Sequence, residues 1–281
     1  MLIALGIRGR SFAGKQKEVP RMLVKKVVTY LVLTVILVTL MITAGCNLVT
    51  GSGVNVTLDL DYADFNRIEV GYAFDVEVTR ADTYLVRITI DENLQDYLRV
   101  SKSGDTLQIG LRQNYHYTGI THRAVINLPD LYRLELSGAS DAVVSGFSTS
   151  HDMDFDISGA SKIDLRDMKA GDTEFNLSGA SKVVGNMEMD NVKFDLSGAS
   201  SLNLAGSAQD VDINASGASH VKLPDFPLAN ADIGLSGASH ADISISGQLD
   251  VDLSGASDLK YTGSPRLGSI DITGGSSISQ K

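Results

Sequence analysis

Residues 155–161 read FDISGAS, residues 175–181 read FNLSGAS and residues 194–200 read FDLSGAS. The tetrapeptide Ser-Gly-Ala-Ser occurs seven times in the chain, and successive copies begin 18 to 21 residues apart. Such a near-constant step indicates that each copy belongs to one unit of an internal repeat. The Ser-Gly pairs of the seven copies are Ser137 and Gly138, Ser158 and Gly159, Ser178 and Gly179, Ser197 and Gly198, Ser216 and Gly217, Ser236 and Gly237, and Ser254 and Gly255.

Apolar and polar residues alternate before each copy of the tetrapeptide, as Phe175 and Leu177 do before Ser178. This period of two is typical of a β-strand, and no stretch of the repeats has a sustained helical period. A unit of about 19 residues with only short strands cannot bury an apolar face alone, so it must stack on its neighbours. The sequence therefore predicts an all-β fold, a β-solenoid with coils of about 19 residues, preceded by an N-terminal signal or anchor helix.

An earlier stretch of the chain matches the repeat without containing the tetrapeptide. Residues 65–78, FNRIEVGYAFDVEV, align without gaps with residues 131–144, LYRLELSGASDAVV. We therefore expect a single β-helix domain over residues 65–281. It would consist of diverged coils in residues 65–130 and of Ser-Gly-Ala-Ser coils in residues 131–281.

The two ends of this rod differ in sequence. A short helical turn around residues 93–98 is expected to cap one end, where exposed strand edges would otherwise aggregate. Only residues 277–281 follow the last, decayed motif. We therefore expect the C-terminal end of the rod to be covered by another chain, as in a homodimer.

The N-terminal segment has the pattern of an export signal. Residues 27–44, VVTYLVLTVILVTLMITA, carry no charge, follow Lys25 and Lys26, and are followed by Gly45 and Cys46. This order is typical of a bacterial lipoprotein signal, in which the cysteine is lipidated and becomes the mature N-terminus. An uncleaved anchor helix and a buried core helix are the alternatives.

These features predict the organisation of the N-terminal part of the chain. Residues 1–45 form the signal peptide, and residues 46–64 form the lipidated cysteine with a lead-in strand. The residues from Met22 onward look like the ordinary start of such a signal, so we expect translation to begin there. The protein is expected to be exported and held at the cell membrane or cell surface.

Charge and cysteine content exclude several classes of function. Residues 46–281 hold 17 Lys and Arg residues against 33 Asp and Glu residues. This acidic balance repels nucleic-acid phosphates, so a nucleic-acid partner is not expected. The single cysteine excludes disulfides within the chain and cysteine-based metal clusters. No cofactor is predicted.

The combined pattern resembles the auto-transporter adhesin family with a head GIN domain. The resemblance rests on residues 51–54 after the signal, on residues 65–79, on the turn and strand of residues 103–111 and on the Ser-Gly-Ala-Ser repeats. It implies a right-handed parallel β-helix in an exported or lipid-anchored envelope protein. It brings no catalytic residues to this chain.

We therefore expect a lipid-anchored adhesin or surface binding module that contacts a protein or glycan ligand and is not an enzyme. Some parallel β-helices cleave polysaccharides with clustered acids and bases, so a carbohydrate-active enzyme is one alternative. In this chain the acids recur from unit to unit instead of forming one cluster. A structural envelope-assembly protein is the other alternative.

Two small groups of side chains are candidate ligand sites. His220 and His240 follow the motif in adjacent coils, but two imidazoles alone do not define a metal site, and no metal site is predicted. Repeated acids are read as a solvated face, because the nonapeptide of calcium-binding β-rolls is missing. Tyr115, His116 and Tyr117, with nearby His122 and Arg123, would stack on a sugar or pack within the cap.

Overall fold

The computed structural model describes residues 47–281 of the chain. The predicted signal peptide of residues 1–45, the start at Met22 and the lipidation of Cys46 therefore lie outside the described residues. Leu48–Lys281 form one compact unit.

Twenty-three strands and one short helix make up the regular structure of residues 47–281. The strands are β1 Asn47–Thr50, β2 Asn55–Leu60, β3 Arg67–Val70, β4 Asp75–Arg80, β5 Leu85–Asp91, β6 Leu98–Ser103, β7 Thr106–Leu111, β8 Tyr115–Thr118, β9 His122–Leu128, β10 Arg133–Leu136, β11 Asp141–Ser145, β12 Met153–Ile157, β13 Lys162–Lys169, β14 Thr173–Leu177, β15 Lys182–Glu188, β16 Asn191–Leu196, β17 Ser201–Ala215, β18 His220–Leu235, β19 His240–Ile245, β20 Gln248–Leu253, β21 Asp258–Thr262, β22 Arg266–Ile272 and β23 Ser277–Gln280. The helix is a 3₁₀ helix, Glu92–Tyr97. Across residues 47–281, no helix has the length and apolar character needed to cross a membrane.

The strands that precede the motif stack on one another in parallel, and so do the strands that follow it. Leu136 pairs with Ile157, and β14 pairs in turn with β12 and β16 at the same register. After the motif, β11, β13 and β15 form an equivalent stack. The prediction of an all-β solenoid is therefore confirmed, and the stack has about seven turns.

The inward residues of successive coils form apolar columns. Phe155, Phe175 and Phe194 are fully buried, and their ring centroids are 4.8 and 5.3 Å apart along the column. Stacking of equivalent residues at strand spacing provides the core that no single coil has.

The Ser-Gly-Ala-Ser motif forms a corner that is hydrogen-bonded to the next coil. Its glycines have φ between +72° and +78°. The alanine N–H donates to the glycine carbonyl one coil earlier, at 2.7 to 2.8 Å. The last serine is buried, and in six copies its hydroxyl donates to the carbonyl of the first serine at 2.7 to 3.0 Å. The motif thus joins strands within a coil and binds coils to each other.

The first half of the domain differs in part from the expected diverged coils. Strands β3 and β4 form a coil in register with β10 and β11, pairing Arg67 with Arg133 and Asp75 with Asp141, as the gapless alignment predicts. However, β6 runs antiparallel to β7, and β5 runs antiparallel to both β2 and β9. Residues 65–130 are therefore not coils throughout.

The antiparallel strands have a physical reason. Strands β7 and β9 lie parallel to β3 and β4 and form the first rung of the stack. The antiparallel strands β6 and β5 then cover the outer edge of that rung. The 3₁₀ helix buries Leu94, and the buried Asp91 accepts the N–H groups of Gly53 and Thr121 at 2.7 and 2.6 Å. This end of the rod is closed.

Candidate functional site

One side of the solenoid carries two outward columns of mostly acidic side chains. They come from the alternate residues of the strands before each motif, because neighbouring residues in a strand point to opposite faces. The first column is Arg133, Asp154, Glu174, Lys193, Asp212, Asp232 and Asp250. The second column is Glu135, Asp156, Asn176, Asp195, Asn214, Gly234 and Asp252. We call these two columns the acidic face.

Two grooves of about 730 Å³ each follow the acidic face along the rod. The first runs between the second column and the first serine of each motif, so carboxylates, amides and hydroxyls line it. The second runs beside the first column, on the side of Asp152, Asp172 and Asp210. Both grooves are long arrays of hydrogen-bonding groups at repeated positions, although the residue type changes from coil to coil.

Amides and cations separate many of the stacked carboxylates. The side-chain amide of Asn176 donates to Asp156 at 3.0 Å, and Lys193 lies 2.7 Å from Asp195 and 3.4 Å from Glu174. Where a carboxylate has fewer amide or cationic neighbours, the repulsion between stacked carboxylates remains. Burial, with the repulsion of Asp232 and Asp195 added, raises the pKa of Asp212 above its ordinary value.

A second group lies at the closed end of the rod. Tyr97 lies edge-on to Tyr115 and Tyr117, with ring centroids 4.9 and 6.0 Å away. The Arg112 guanidinium lies 5.6 Å from the centre of the Tyr115 ring. Arg112, together with Tyr72 and Arg99, lines a groove of about 510 Å³, and the other three tyrosines lie outside its lining. We call the six residues the tyrosine–arginine patch: Tyr72, Tyr97, Arg99, Arg112, Tyr115 and Tyr117.

Comparison with known families decides where this chain belongs. The family model described as putative auto-transporter adhesin, head GIN domain, matches residues 64–265. The chain belongs to this family. The resemblance seen in the sequence is therefore confirmed.

Solved structures share the fold of this head GIN domain. A putative adhesin from Parabacteroides merdae ATCC 43184 is 19% identical, with 84% of this chain and 100% of that chain covered and a TM-score of 0.76. A putative adhesin from Parabacteroides distasonis ATCC 8503 is 20% identical, with 83% and 100% covered and a TM-score of 0.75. A putative lipid binding protein from the same organism is 18% identical, with 83% and 99% covered and a TM-score of 0.73. At these identities the likeness concerns the fold alone. No curated protein matches the chain.

The two candidate histidines of the head GIN domain are neighbours. His220 pairs in register with His240, and their ring centroids are 5.1 Å apart. Asp258 follows in the same column, but its carboxylate already accepts the Ser277 hydroxyl at 2.6 Å. Among residues 47–281, no three His, Cys, Asp or Glu side chains are grouped as metal ligands.

The aromatic group expected from the sequence is only partly brought together. Tyr115 and Tyr117 lie in the tyrosine–arginine patch. His122 instead packs edge-on against Phe74, at 4.9 Å between ring centroids, and Arg123 pairs with Glu77 at 2.7 Å.

Sequence reasoning missed four members of the patch, Tyr72, Tyr97, Arg99 and Arg112. One signal was available, because Tyr72 aligns with Gly138 of the first motif.

Proposed function

We propose that this head GIN domain protein is exported, lipid-anchored in the cell envelope, and binds a glycan or protein ligand without catalysing a reaction. The observation that carries the proposal is the acidic face with its two grooves. An extended ligand meets polar groups at repeated positions, about 4.8 Å apart along the rod. This arrangement suits an adhesin-type contact along a polymer or a protein surface.

The arrangement of the acids supports binding rather than catalysis. Glycosidases use two carboxyl groups of distinct character at one place, flanking the bond that breaks. Here carboxylates such as Asp156, Asp195 and Asp252 recur in one column, and each faces a serine corner of the same design. The two bases of this face, Arg133 and Lys193, are each paired with carboxylates of the columns.

The envelope location rests on the sequence before the solenoid. The uncharged residues 27–44, the preceding lysines and Cys46 form the export and lipidation signal. The mass of the mature N-terminal peptide distinguishes a lipidated Cys46 from an uncleaved anchor. We further propose that the coils are right-handed, as parallel crossover connections in one sheet almost always are.

The test uses residues 47–281 on a panel of polysaccharides, matrix proteins and phospholipid vesicles. Retention of ligand and release of new sugar ends are scored in the same wells. We expect retention without cleavage. Release of new sugar ends would show that the chain is an enzyme. If the protein retains no ligand of the panel, the binding proposal is overturned.

A matched pair of variants locates the binding surface. Asp195→Asn with Asp252→Asn removes two charges from the acidic face, and we expect it to weaken ligand retention at least tenfold. Asp75→Asn with Asp141→Asn removes two charges from the strands after the motif and should leave retention unchanged. Equal effects of the two variants would show that net charge alone governs binding.

A further inference from the structure

One stretch of the chain at the closed end of the rod is basic, although the domain as a whole is acidic. Residues 98–123 contain four basic side chains, Arg99, Lys102, Arg112 and Arg123, and one acidic side chain, Asp105. All the other acids of residues 46–281 lie outside this stretch. The tyrosine–arginine patch therefore has a local charge opposite to that of the acidic face.

The hairpin of β6 and β7 places the two patch arginines on one face. Arg99 pairs in register with Gly110, and the Arg112 N–H donates to the Tyr97 carbonyl at 2.8 Å. Opposite residues of an antiparallel pair share a face, and so do residues two apart in a strand. Tyr97, Arg99, Gly110 and Arg112 therefore lie on the same face of the hairpin.

Tyr72 reaches this face from the neighbouring coil. A Cβ added to Gly110 would lie 3.2 Å from the Tyr72 ring, so the ring lies directly over this glycine. Arg99 then flanks the ring across the hairpin, and Arg112 flanks it two residues along the chain. Tyr72 itself remains 37% exposed.

The backbone of Tyr72 is held in a conformation that suits glycine. Its φ is +65°, and the aligned Gly138 has φ +77°. A left-handed conformation costs a residue with a Cβ about 1–2 kcal/mol. Eight later coils have glycine at this position. The exposed Tyr72 ring is therefore present despite a local cost in stability.

The two patch arginines also lack carboxylate partners within the described part of the chain. Arg87, Arg123 and Arg166 each lie 2.6 to 2.7 Å from a carboxylate. In contrast, Arg99 donates to the carbonyls of Asp96 and Leu98 at 2.9 and 2.6 Å, and Arg112 lies beside Tyr115. Their positive charges are therefore not neutralised locally.

The groove between these groups has the size and lining of a small-ligand site. Its volume of about 510 Å³ falls in the usual range for such sites. Besides Tyr72 and the arginines, Ser101, Gln108 and Gln113 provide hydroxyl and amide groups. Glu69 and Glu135 also line the groove, and Glu69 accepts the Gln108 side-chain amide at 2.7 Å. These groups match the hydroxyls of a sugar, whereas the guanidiniums match an anion.

We infer that the tyrosine–arginine patch binds an acidic saccharide, a sugar unit that carries a carboxylate. The Tyr72 ring stacks on the apolar face of the sugar, and Arg99 and Arg112 donate to the carboxylate. This inference rests on the proposed binding function and names a ligand class and a subsite for it. The acidic face beside the patch disfavours longer polyanions such as nucleic acid.

The test compares a galacturonate tetrasaccharide with its methyl ester by calorimetry on residues 47–281. The ester lacks the negative charges and carries one added methyl group on each carboxyl group. We expect the acid form to bind at least tenfold more tightly than the ester. Arg99→Gln and Arg112→Gln should each remove most of this preference. Arg166→Gln, an exposed arginine elsewhere on the rod, is the matched control and should change nothing.

A fourth variant tests the stacking contact without endangering the fold. Tyr72→Gly keeps a residue suited to positive φ and removes the ring, so it should weaken binding of the acid and the ester alike. Unchanged affinity for both forms in Tyr72→Gly would contradict the stacking role. Circular dichroism of each variant verifies that the solenoid is intact.

The outcomes separate this inference from the proposed function. Three results would overturn the inference. The acid and the ester bind with equal affinity, the acid does not bind measurably, or the variants Arg99→Gln and Arg112→Gln behave like Arg166→Gln. In those cases the chain could still retain ligands of the panel, and the double variant Asp195→Asn with Asp252→Asn could still weaken that retention. The proposed binding function then stands without the acidic-saccharide site. Arginine-dependent galacturonate binding by a chain that retains nothing else would confine binding to the patch.

Discussion

The second position of each motif requires glycine for two separate reasons. Gly198 has φ +75°, and a Cβ added there would lie 2.4 Å from the carbonyl oxygen of Gly179 in the coil before. That carbonyl accepts the N–H of Ala199 at 2.7 Å, so it cannot move away without breaking the bond between coils. Both backbone conformation and close approach therefore demand glycine.

A matched pair of substitutions separates these two requirements. Gly53 has φ +74°, nearly that of Gly198, but a Cβ added there meets no atom within 4 Å. Gly53→Ala should therefore lower the free energy of unfolding by about 1 kcal/mol, from backbone strain alone. Gly198→Ala should lower it by about 3 kcal/mol or more, because the clash is added. Urea unfolding measures both, and equal losses would contradict the role of close approach.

The sequence predicted the corner but not the role of each serine. Glycine in a repeated turn indicates a special backbone conformation from composition alone. The two serines of a motif are chemically identical, and the alternation of the flanking strands does not determine which of them faces the core. The structure buries the last serine, such as Ser200, whose hydroxyl donates to the Ser197 carbonyl at 2.8 Å. That choice depends on the path of the backbone through the corner.

At the level of the strands, the acidic face makes stability depend on pH. Burial and the neighbouring Asp232 raise the pKa of Asp212, so ionised Asp212 is less favourable in the folded chain than in the unfolded chain. Stability from this group is greatest below the ordinary carboxyl pKa and is lost as pH rises through the raised value. The Ser269 N–H and the Gln248 amide lower the pKa of Asp250. The stability that Asp250 contributes is therefore present above the ordinary carboxyl pKa and is lost as pH falls through the lowered value.

Neutral isosteres test this difference in sign. Asp212→Asn should raise the melting temperature at pH 7 slightly, because solvent screens this exposed side chain. It should leave the melting temperature nearly unchanged at pH 3, where the native aspartate is largely protonated in both states. Asp250→Asn should lower the melting temperature at pH 7, with a smaller effect as pH falls. Melting curves between pH 3 and pH 8 give both results. A lower melting temperature of Asp212→Asn at pH 7 would contradict charge crowding on the acidic face.

Strand register was predictable, whereas strand direction was not. A fixed repeat places equivalent residues in columns, so the neighbours His220 and His240 followed from the sequence. The period-two pattern of β5 and β6 is the same for parallel and antiparallel pairing. The tyrosine–arginine patch depends on the antiparallel hairpin of β6 and β7, and this is why the sequence indicated only Tyr115 and Tyr117, which lie in β8.

At the level of the whole molecule, the two ends of the rod are unlike each other. The antiparallel strands β5 and β6 cover the first rung, but no strand lies on the outer side of β22 or β23 within residues 47–281. Leu267, Ile270 and Ile272 pair in register with buried core residues of β20. They are nevertheless 52%, 38% and 39% exposed. This rung thus exposes core-type side chains and a free strand edge.

The sequence of β22 is complementary to itself in the antiparallel direction. A two-fold axis between Gly268 and Ser269 would place Arg266 opposite Asp271 of a second copy and Leu267 opposite its Ile270. A register shift in β22 between Leu267 and Ile270 places both of these residues on the inner face, and Arg266 and Asp271 on the outer face. Charged residues then meet on the outer face and apolar residues on the inner face, because directly opposite residues share a face. We therefore predict that residues 47–281 form a symmetric dimer through this rung.

Charge reversal tests this dimer through its symmetry. Arg266→Asp and Asp271→Arg each place like charges opposite one another at two related sites, so each should raise the dimer dissociation constant about tenfold. Combining both changes in one chain restores opposite charges, and so does mixing the two single variants, which should then form a heterodimer. Sedimentation equilibrium measures all four samples. A native chain that stays monomeric at high concentration would contradict the dimer. Single variants that do not associate when mixed would contradict this pairing, because no other antiparallel register of β22 places Arg266 directly opposite Asp271.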